Sequence, residues 1–212
     1  MSVSGRGTGI LFVISAPSGT GKSSVTSRLL ESLGGLEFSV SYTTRPARNG
    51  ELDGREYHFV DRGTFEKMLA EGAFLESAEV FGQLYGTGVE ATRAVLATGS
   101  DLLLDIDVQG ARQVRQGPIE AVSVMILPPD YDTLVERLRS RGSEAQPELE
   151  RRLAESRQEA QAFDSFDYVV VNDDLDRTVD ELVSIVRAER RNTAHCREQA
   201  NRIIATFPPA GN

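Results

Sequence analysis

The chain has 212 residues, 40% of them hydrophobic and 26% charged, with a net charge of −9. That is apolar enough for a sizeable core, and too acidic for broad binding to nucleic acid or anionic membranes. Cys196 is the only cysteine, which excludes an intrachain disulfide and a cysteine metal cluster, and His58 and His195 are the only histidines, which makes a Ser-His-Asp hydrolase or a histidine-rich metal site a poor fit.

Residues 1–8 are small and polar and read as a frayed end. The next stretch, ILFVISAPSGTGKSS at 10–24, carries the most information. A β-branched apolar run predicts a strand over 10–15. A loop of small residues follows, and apolar positions Val25, Leu29 and Leu33 predict a helix over 23–33. Strand, Gly-rich loop and helix in that order form the context of a phosphate-binding loop, here Ala16, Pro17, Ser18, Gly19, Thr20, Gly21, Lys22 and Ser23. Gly19 and Gly21 let successive N–H groups turn toward one anion, and the helix start adds its positive dipole end. Lys22 is placed to reach the β- and γ-phosphates of ATP, and the Ser23 hydroxyl to bind Mg²⁺. Only Lys22 and Lys67 are lysines, so a lysine here is not incidental. The pattern usually opens on glycine, and Ala16 replaces it.

Further strands are expected over 38–42, 101–106, 122–127 and 168–172. Near-continuous blocks such as LLLDID, VSVMIL and YVVVN suit a parallel sheet covered on both faces. Helical spacing recurs over 64–70, 90–97, 131–139 and 176–190. The alternation predicts a doubly wound α/β fold. Two regions break the rhythm. Residues 43–80 are rich in Gly, Arg and aromatics, with strand signals at 57–60 and 74–80, and read as an inserted α/β subdomain. Residues 137–164 are highly charged and read as a mobile, solvated helical flap. The tail from 191 is expected to extend the last helix to about residue 206, where PPAGN stops it. No apolar run reaches 18 residues, and the run at 10–14 is too short for a signal-peptide core, so the cytoplasm is the expected location.

The segment SVSYTTRPARNGELDGREYHF at 39–59 sets Ser41, Arg45, Arg48 and Tyr57 around two glycines. Arginines three apart in an extended loop can converge on one phosphate. With this segment, and with FLESAEVFGQLYGT (74–87), LLLDIDVQGA (102–111), RLRSRG (137–142) and VVVNDD (169–174), the chain closely resembles the guanylate kinase family, bacterial type, across 9–190. The resemblance implies transfer of the ATP γ-phosphate to GMP with Mg²⁺. It also implies a core of 9–42, 88–136 and 165–190, a GMP-binding subdomain over 43–87 and a lid over 137–164. Ser41, Arg45, Arg48, Tyr57 and Tyr85 match positions that hold the GMP phosphate or frame its pocket. Glu76 and Thr87 match those that read guanine. Asp105 and Asp107 match an acidic pair near Mg²⁺ and GMP, Arg141 and Arg152 match lid arginines, and Asn172 matches a position near adenine. Lys22, Arg45, Arg141 and Arg152 are then the catalytic set.

The chemistry of these residues agrees with such roles. The acceptor phosphate is already ionised near pH 7, so no general base is required, and the scarcity of histidines is expected. A carboxylate at Glu76 accepts from guanine N1–H and N2–H together, whereas adenine offers an acceptor at N1 and no N2 amine. Asp105 in an apolar strand needs a partner or a metal. Asp107 can also cap a helix starting at Val108. A non-catalytic guanylate-kinase-like interaction module, or a kinase for another nucleoside monophosphate, are the alternatives. The intact G-K-S with its arginines weighs against the first, and Glu76 with Thr87 against the second.

Overall fold

The computed structural model describes residues 8–140 and 146–208. A five-stranded, all-parallel sheet forms the centre, in the order β2 (Leu36–Phe38), β7 (Asp101–Asp105), β1 (Leu11–Ser15), β8 (Ala121–Leu127), β9 (Tyr168–Val171). Strand β1 lies in the middle and all five of its residues are buried. Because successive side chains point to opposite faces, Ile10, Phe12 and Ile14 pack on one side with Val25, Leu29 and Leu182, and Leu11 and Val13 pack on the other with Val89, Leu96 and Val114. The first layer brings α1 (Lys22–Ser32) and α7 (Leu175–Glu189) to the sheet, and the second brings α3 (Val89–Ala97) and α4 (Val108–Arg115). The doubly wound α/β expectation is met.

A second, four-stranded sheet runs β4 (His58–Phe59), β3 (Tyr42–Thr43), β6 (Gln83–Gly88), β5 (Phe74–Val80), with α2 (Arg62–Ala70) against it. The strand expected over 38–42 is in fact two. Leu36–Phe38 ends in the main sheet with Ser39 N–H on the Leu103 carbonyl (3.0 Å), and the chain then crosses to Tyr42–Thr43 in the second sheet. Sequence patterning saw one apolar run where the chain passes between two sheets. Strand β6 carries Tyr85 and Thr87 and has no clean alternation, because Gly86 and Gly88 interrupt it. The β5–β6 turn has Phe81 and Gly82 at φ of 49° and 77°, the signature of a two-residue hairpin with both central residues left-handed.

The charged stretch from 137 contains the end of α5 (Tyr131–Ser140) and α6 (Gln146–Ala160). It is less solvated than expected: Leu149 and Ser156 are buried, and Leu149 packs with Leu134 and Leu138 of α5. The last helix is not continuous either. Helix α7 stops at Glu189, and α8 (Thr193–Ile204) starts afresh, with the Asn192 side chain accepting from Ala194 N–H (3.1 Å). Asparagine favours such caps, and the extended-helix reading missed that signal.

Candidate active site

Gly21, which precedes helix α1 as its N-cap, adopts φ 97°, and Gly19 adopts φ 87°. A side chain at either place has no room: a Cβ on Gly19 would lie 2.7 Å from Leu138 Cγ, and one on Gly21 would lie 2.8 Å from Asn172 Nδ2. Both glycines are required twice, by backbone conformation and by close packing. Ala16 is different. Among the described residues Phe81 is the one non-glycine with positive φ, so the position normally held by glycine needs no left-handed backbone here. No acidic side chain stands in the first turn of α1, which leaves the positive end of the helix open to an anion.

Neighbouring elements grip the loop through the Thr20 carbonyl and through Ser18. Asn172 Nδ2 donates to Thr20 O (2.7 Å) while the Asn172 amide oxygen accepts from Thr178 (3.1 Å), and Arg137 donates to the same Thr20 carbonyl (3.2 Å). Asn172, 6% exposed, buttresses the loop with its amide oxygen and one amide N–H both engaged. Arg152 Nη2 donates to the Ser18 hydroxyl (2.8 Å), so this arginine already stands at the loop. Arg141 lies outside the described residues.

Lys22 folds toward the end of β7. Its ammonium contacts Asp105 Oδ1 at 2.5 Å and donates to the Ile106 carbonyl (2.8 Å), and Thr26 donates to Asp105 Oδ2 (3.3 Å). Asp105 therefore has the partner its burial calls for. Ser23 is exposed at the helix start. Asp107 caps α4, accepting from Gly110 N–H (2.7 Å). The capping role expected for it is present, and the helix it opens at Val108 is α4, with Ala111 and Val114 on its buried face.

The second sheet holds the other half of the site. Thr87 and Glu76 face each other across β5 and β6, and the Thr87 hydroxyl donates to Glu76 Oε1 (2.6 Å). Glu76 is 7% exposed. Burial pushes its carboxyl above the usual range, the Thr87 hydrogen bond pulls it down, and the charge of Asp107 pushes it up again. In the loop before β4, Glu51 forms a bridge that sequence reasoning missed. Its Oε1 accepts from Arg45 Nη2 (2.9 Å) and its Oε2 from Arg48 N–H (2.7 Å). The Arg45 guanidinium also lies over Tyr57, 5.4 Å from the ring centre, and Tyr57 meets Tyr85 edge-on at 5.9 Å. The Glu51 hydrogen bond holds Arg45 firmly charged, and the same bond holds the Glu51 carboxyl below its ordinary range. The signal was available: Glu51 follows Arg48 at the interval that separates Arg48 from Arg45. Gln113 of α4 was missed too. Its amide pairs with both the N–H and the carbonyl of Ser77 (3.0 Å each), which ties β5 beside Glu76 to the core.

The structure thus brings Ser41, Arg45, Arg48, Tyr57, Tyr85, Glu76 and Thr87 to one sheet with its leading loop, and gathers the phosphate loop, Asp105, Asp107, Arg152 and Asn172 at the ends of β1, β7 and β9. The model of the guanylate kinase family matches residues 9–189. The chain belongs to the guanylate kinase family. It is 52% identical over 182 residues to a guanylate kinase of Neisseria meningitidis serogroup B, covering 86% of this chain and 89% of that one. It is 48% identical over 197 residues to one from Nitrosomonas europaea, covering 93% and 98%. Among solved structures it is similar to the guanylate kinase of Anaplasma phagocytophilum, with a TM-score of 0.68 and 36% identity over 91% of this chain and 94% of that one.

Proposed function

We infer that this guanylate kinase family member transfers the γ-phosphoryl group of ATP to GMP, giving ADP and GDP. The observation that carries the reading is the buried Glu76–Thr87 pair, held in electrostatic reach of Asp107 at the edge of a phosphate loop. With one oxygen held by Thr87, the ionised Glu76 can accept from the N1–H and N2–H edge of guanine, and it repels the N1 lone pair of adenine. A buried site built on specific hydrogen bonds can discriminate by on the order of 10⁴-fold.

In the reaction an oxygen of the GMP phosphate forms a bond to the γ-phosphorus as the bond to the β–γ bridging oxygen breaks. The electron pair leaves with ADP. The acceptor is ionised near neutral pH, so catalysis rests on positioning and charge. The main-chain N–H groups of Gly19, Gly21, Lys22 and Ser23 cradle the triphosphate, while Ser18 N–H is held by Glu159 and Thr20 N–H by the Pro17 carbonyl. Lys22 leaves Asp105 to lie along the β- and γ-oxygens, while Arg45 and Arg48, with Ser41, Tyr57 and Tyr85, hold the GMP phosphate. Ser23 and Asp105 would hold Mg²⁺. Two oxygen side chains beside a triphosphate suit an ion that prefers few protein ligands, and no group of three or more His, Cys, Asp or Glu among the described residues offers a dedicated cage. The ion supplies charge neutralisation on the transferring group.

Residues 43–87 and 137–164 are read as the GMP-binding subdomain and lid, with Arg141 and Arg152 closing on the phosphates. The Arg152 bond to the Ser18 hydroxyl would give way to one with a phosphate oxygen. A cytoplasmic location is part of this reading. Among the described residues no helix is long and apolar enough to cross a membrane. Offering Mg²⁺–ATP with GMP, AMP, CMP, UMP and dTMP, and measuring ADP, tests the assignment. GMP alone should give rapid turnover, and comparable kcat/KM for any other acceptor would overturn the role of Glu76.

A further inference from the structure

Helix α6 meets the phosphate loop at Ser18. Arg152, Ser156 and Glu159 are spaced four and three apart, so they share one face of the helix. All three reach Ser18. Arg152 Nη2 donates to its hydroxyl (2.8 Å), the Ser156 hydroxyl donates to its carbonyl (3.2 Å), and its own N–H donates to Glu159 Oε2 (3.3 Å). Each polar group of Ser18 thus has a partner on α6. Ser156 is fully buried. Glu159 looks toward the catalytic charges. Burial pushes its carboxyl up, the Ser18 N–H pulls it down, Asp107 pushes it up and Lys22 pulls it down.

An acidic side chain beside a loop that binds a triphosphate weakens nucleotide binding unless it performs a local task. The task visible here is to hold a backbone amide. The Pro17–Ser18 peptide leads into the tight turn in which Thr20 N–H meets the Pro17 carbonyl (3.2 Å), followed by Gly19 and Gly21 in left-handed conformations. A carboxylate is the strong acceptor for such an amide, and the length of glutamate lets it reach the loop from the helix.

We propose that Glu159 is a positioning residue for ATP: with Ser156 it fixes the peptide units on either side of Ser18, and so the curvature of the loop that receives the triphosphate. The same bonds anchor α6, which carries Arg152, to that loop. The proposal rests on the reading of residues 16–23 as the ATP phosphate site.

The test compares Glu159→Ala, Glu159→Gln and Ser156→Ala with the parent protein. The measurements are KM for ATP and for GMP, the affinity for Mg²⁺–ADP by calorimetry, and the thermal midpoint. Glu159→Ala should raise KM for ATP and weaken ADP binding about tenfold, the scale of one lost charge-assisted hydrogen bond, with KM for GMP within about twofold. Glu159→Gln keeps an acceptor oxygen and should recover to within about threefold of the parent. Ser156→Ala removes one oxygen and should cost about threefold in ADP affinity. ADP affinity that is unchanged or improved in Glu159→Ala overturns the proposal. So do equal rises in KM for both substrates, and a Glu159→Gln variant as impaired as Glu159→Ala. If Glu159→Ala does not fold, Ser156→Ala decides, and unchanged ADP affinity there overturns the idea. Failure of the underlying ATP reading would show separately, as a parent protein with no saturable ADP binding.

Discussion

The phosphate loop and the arginine-bearing loop that precedes β4 both face anions, but they are made differently. The first is main chain. Gly19 and Gly21 set its curve, the start of α1 supplies its field, and Asn172, Arg137 and α6 hold it from outside. The second is side chain. Arg45 and Arg48 stand on an exposed loop kept in shape by Glu51, with aromatic rings beside them. A backbone cradle is fixed once its glycines and its neighbours are fixed. A guanidinium site needs a counter-ion to hold its geometry while it is empty, and that counter-ion must yield when the substrate phosphate arrives. The backbone site should therefore tolerate changes to all but a few side chains, whereas the arginine site should be sensitive at each member, including the acidic one.

The largest effect belongs to the one loop side chain that carries the needed charge. Lys22→Ala should lower kcat by at least about 10²-fold, since a preorganised charge on the transferring group is lost, and should lower the thermal midpoint because Asp105 loses its ion-pair partner. Turnover within tenfold of the parent would show that the cradle works by backbone alone.

Glu76→Gln comes next and probes the buried carboxylate on β5. It should reduce the preference for GMP over AMP by at least about 10²-fold, because Gln presents an N–H donor where a second acceptor is needed. Stability should move the other way. The folded state raises the Glu76 pKa above its unfolded value, so the fold binds the proton more readily, and ionised Glu76 costs stability at neutral pH. That cost is relieved as pH falls through the raised pKa. The Gln variant should thus melt higher than the parent at neutral pH, by about 2–4 °C per kcal/mol relieved, and the gap should close in the carboxylate range. GMP affinity of the parent should fall over the same interval. A gap that widens on acidification would contradict the burial argument.

Glu51→Ala sharpens the comparison directly. Without its carboxylate Arg45 and the Arg48 amide lose their shared partner, and KM for GMP should rise roughly tenfold with KM for ATP unchanged. Glu51→Gln should retain part of the geometry. A lower KM for GMP in either variant would mean that Glu51 competes with substrate more than it organises the loop.

These two sites were also unequally legible in the sequence. The phosphate loop was readable because its requirements are local: a strand, two glycines, a lysine and a helix within 24 residues, each visible in order. The central sheet was readable for the same reason, since strands buried on both faces read as apolar blocks. Glu76 and Thr87 became interpretable only by resemblance, because their pairing depends on the register of two strands joined at Phe81–Gly82. Glu51, Gln113 and Glu159 were not singled out. Each is a common polar residue whose importance comes from a partner distant in space or from a backbone group, and hydrophobic periodicity does not report such contacts. The split of 38–42 between two sheets was hidden because apolar runs do not show where a chain changes partner, whereas the break before α8 had a local signal in the Asn192 cap.

The smallest expected effect returns to the backbone cradle. The Thr20 hydroxyl is buried and has no hydrogen-bond partner among the described residues, although the Thr20 carbonyl accepts from both Asn172 and Arg137. The loop uses this residue for its main chain and leaves the side-chain oxygen unsatisfied. Thr20→Val preserves the shape and removes only that oxygen, so it should leave KM for ATP within about twofold and change stability in the favourable direction, by about 1 kcal/mol at most. Kinetics with Mg²⁺–ATP and a denaturant midpoint are sufficient to measure both. If Thr20→Val costs tenfold or more in KM for ATP at unchanged stability, the hydroxyl takes part in nucleotide binding. The contrast between a backbone site and a side-chain site would then fail at the place where it is most exposed to test.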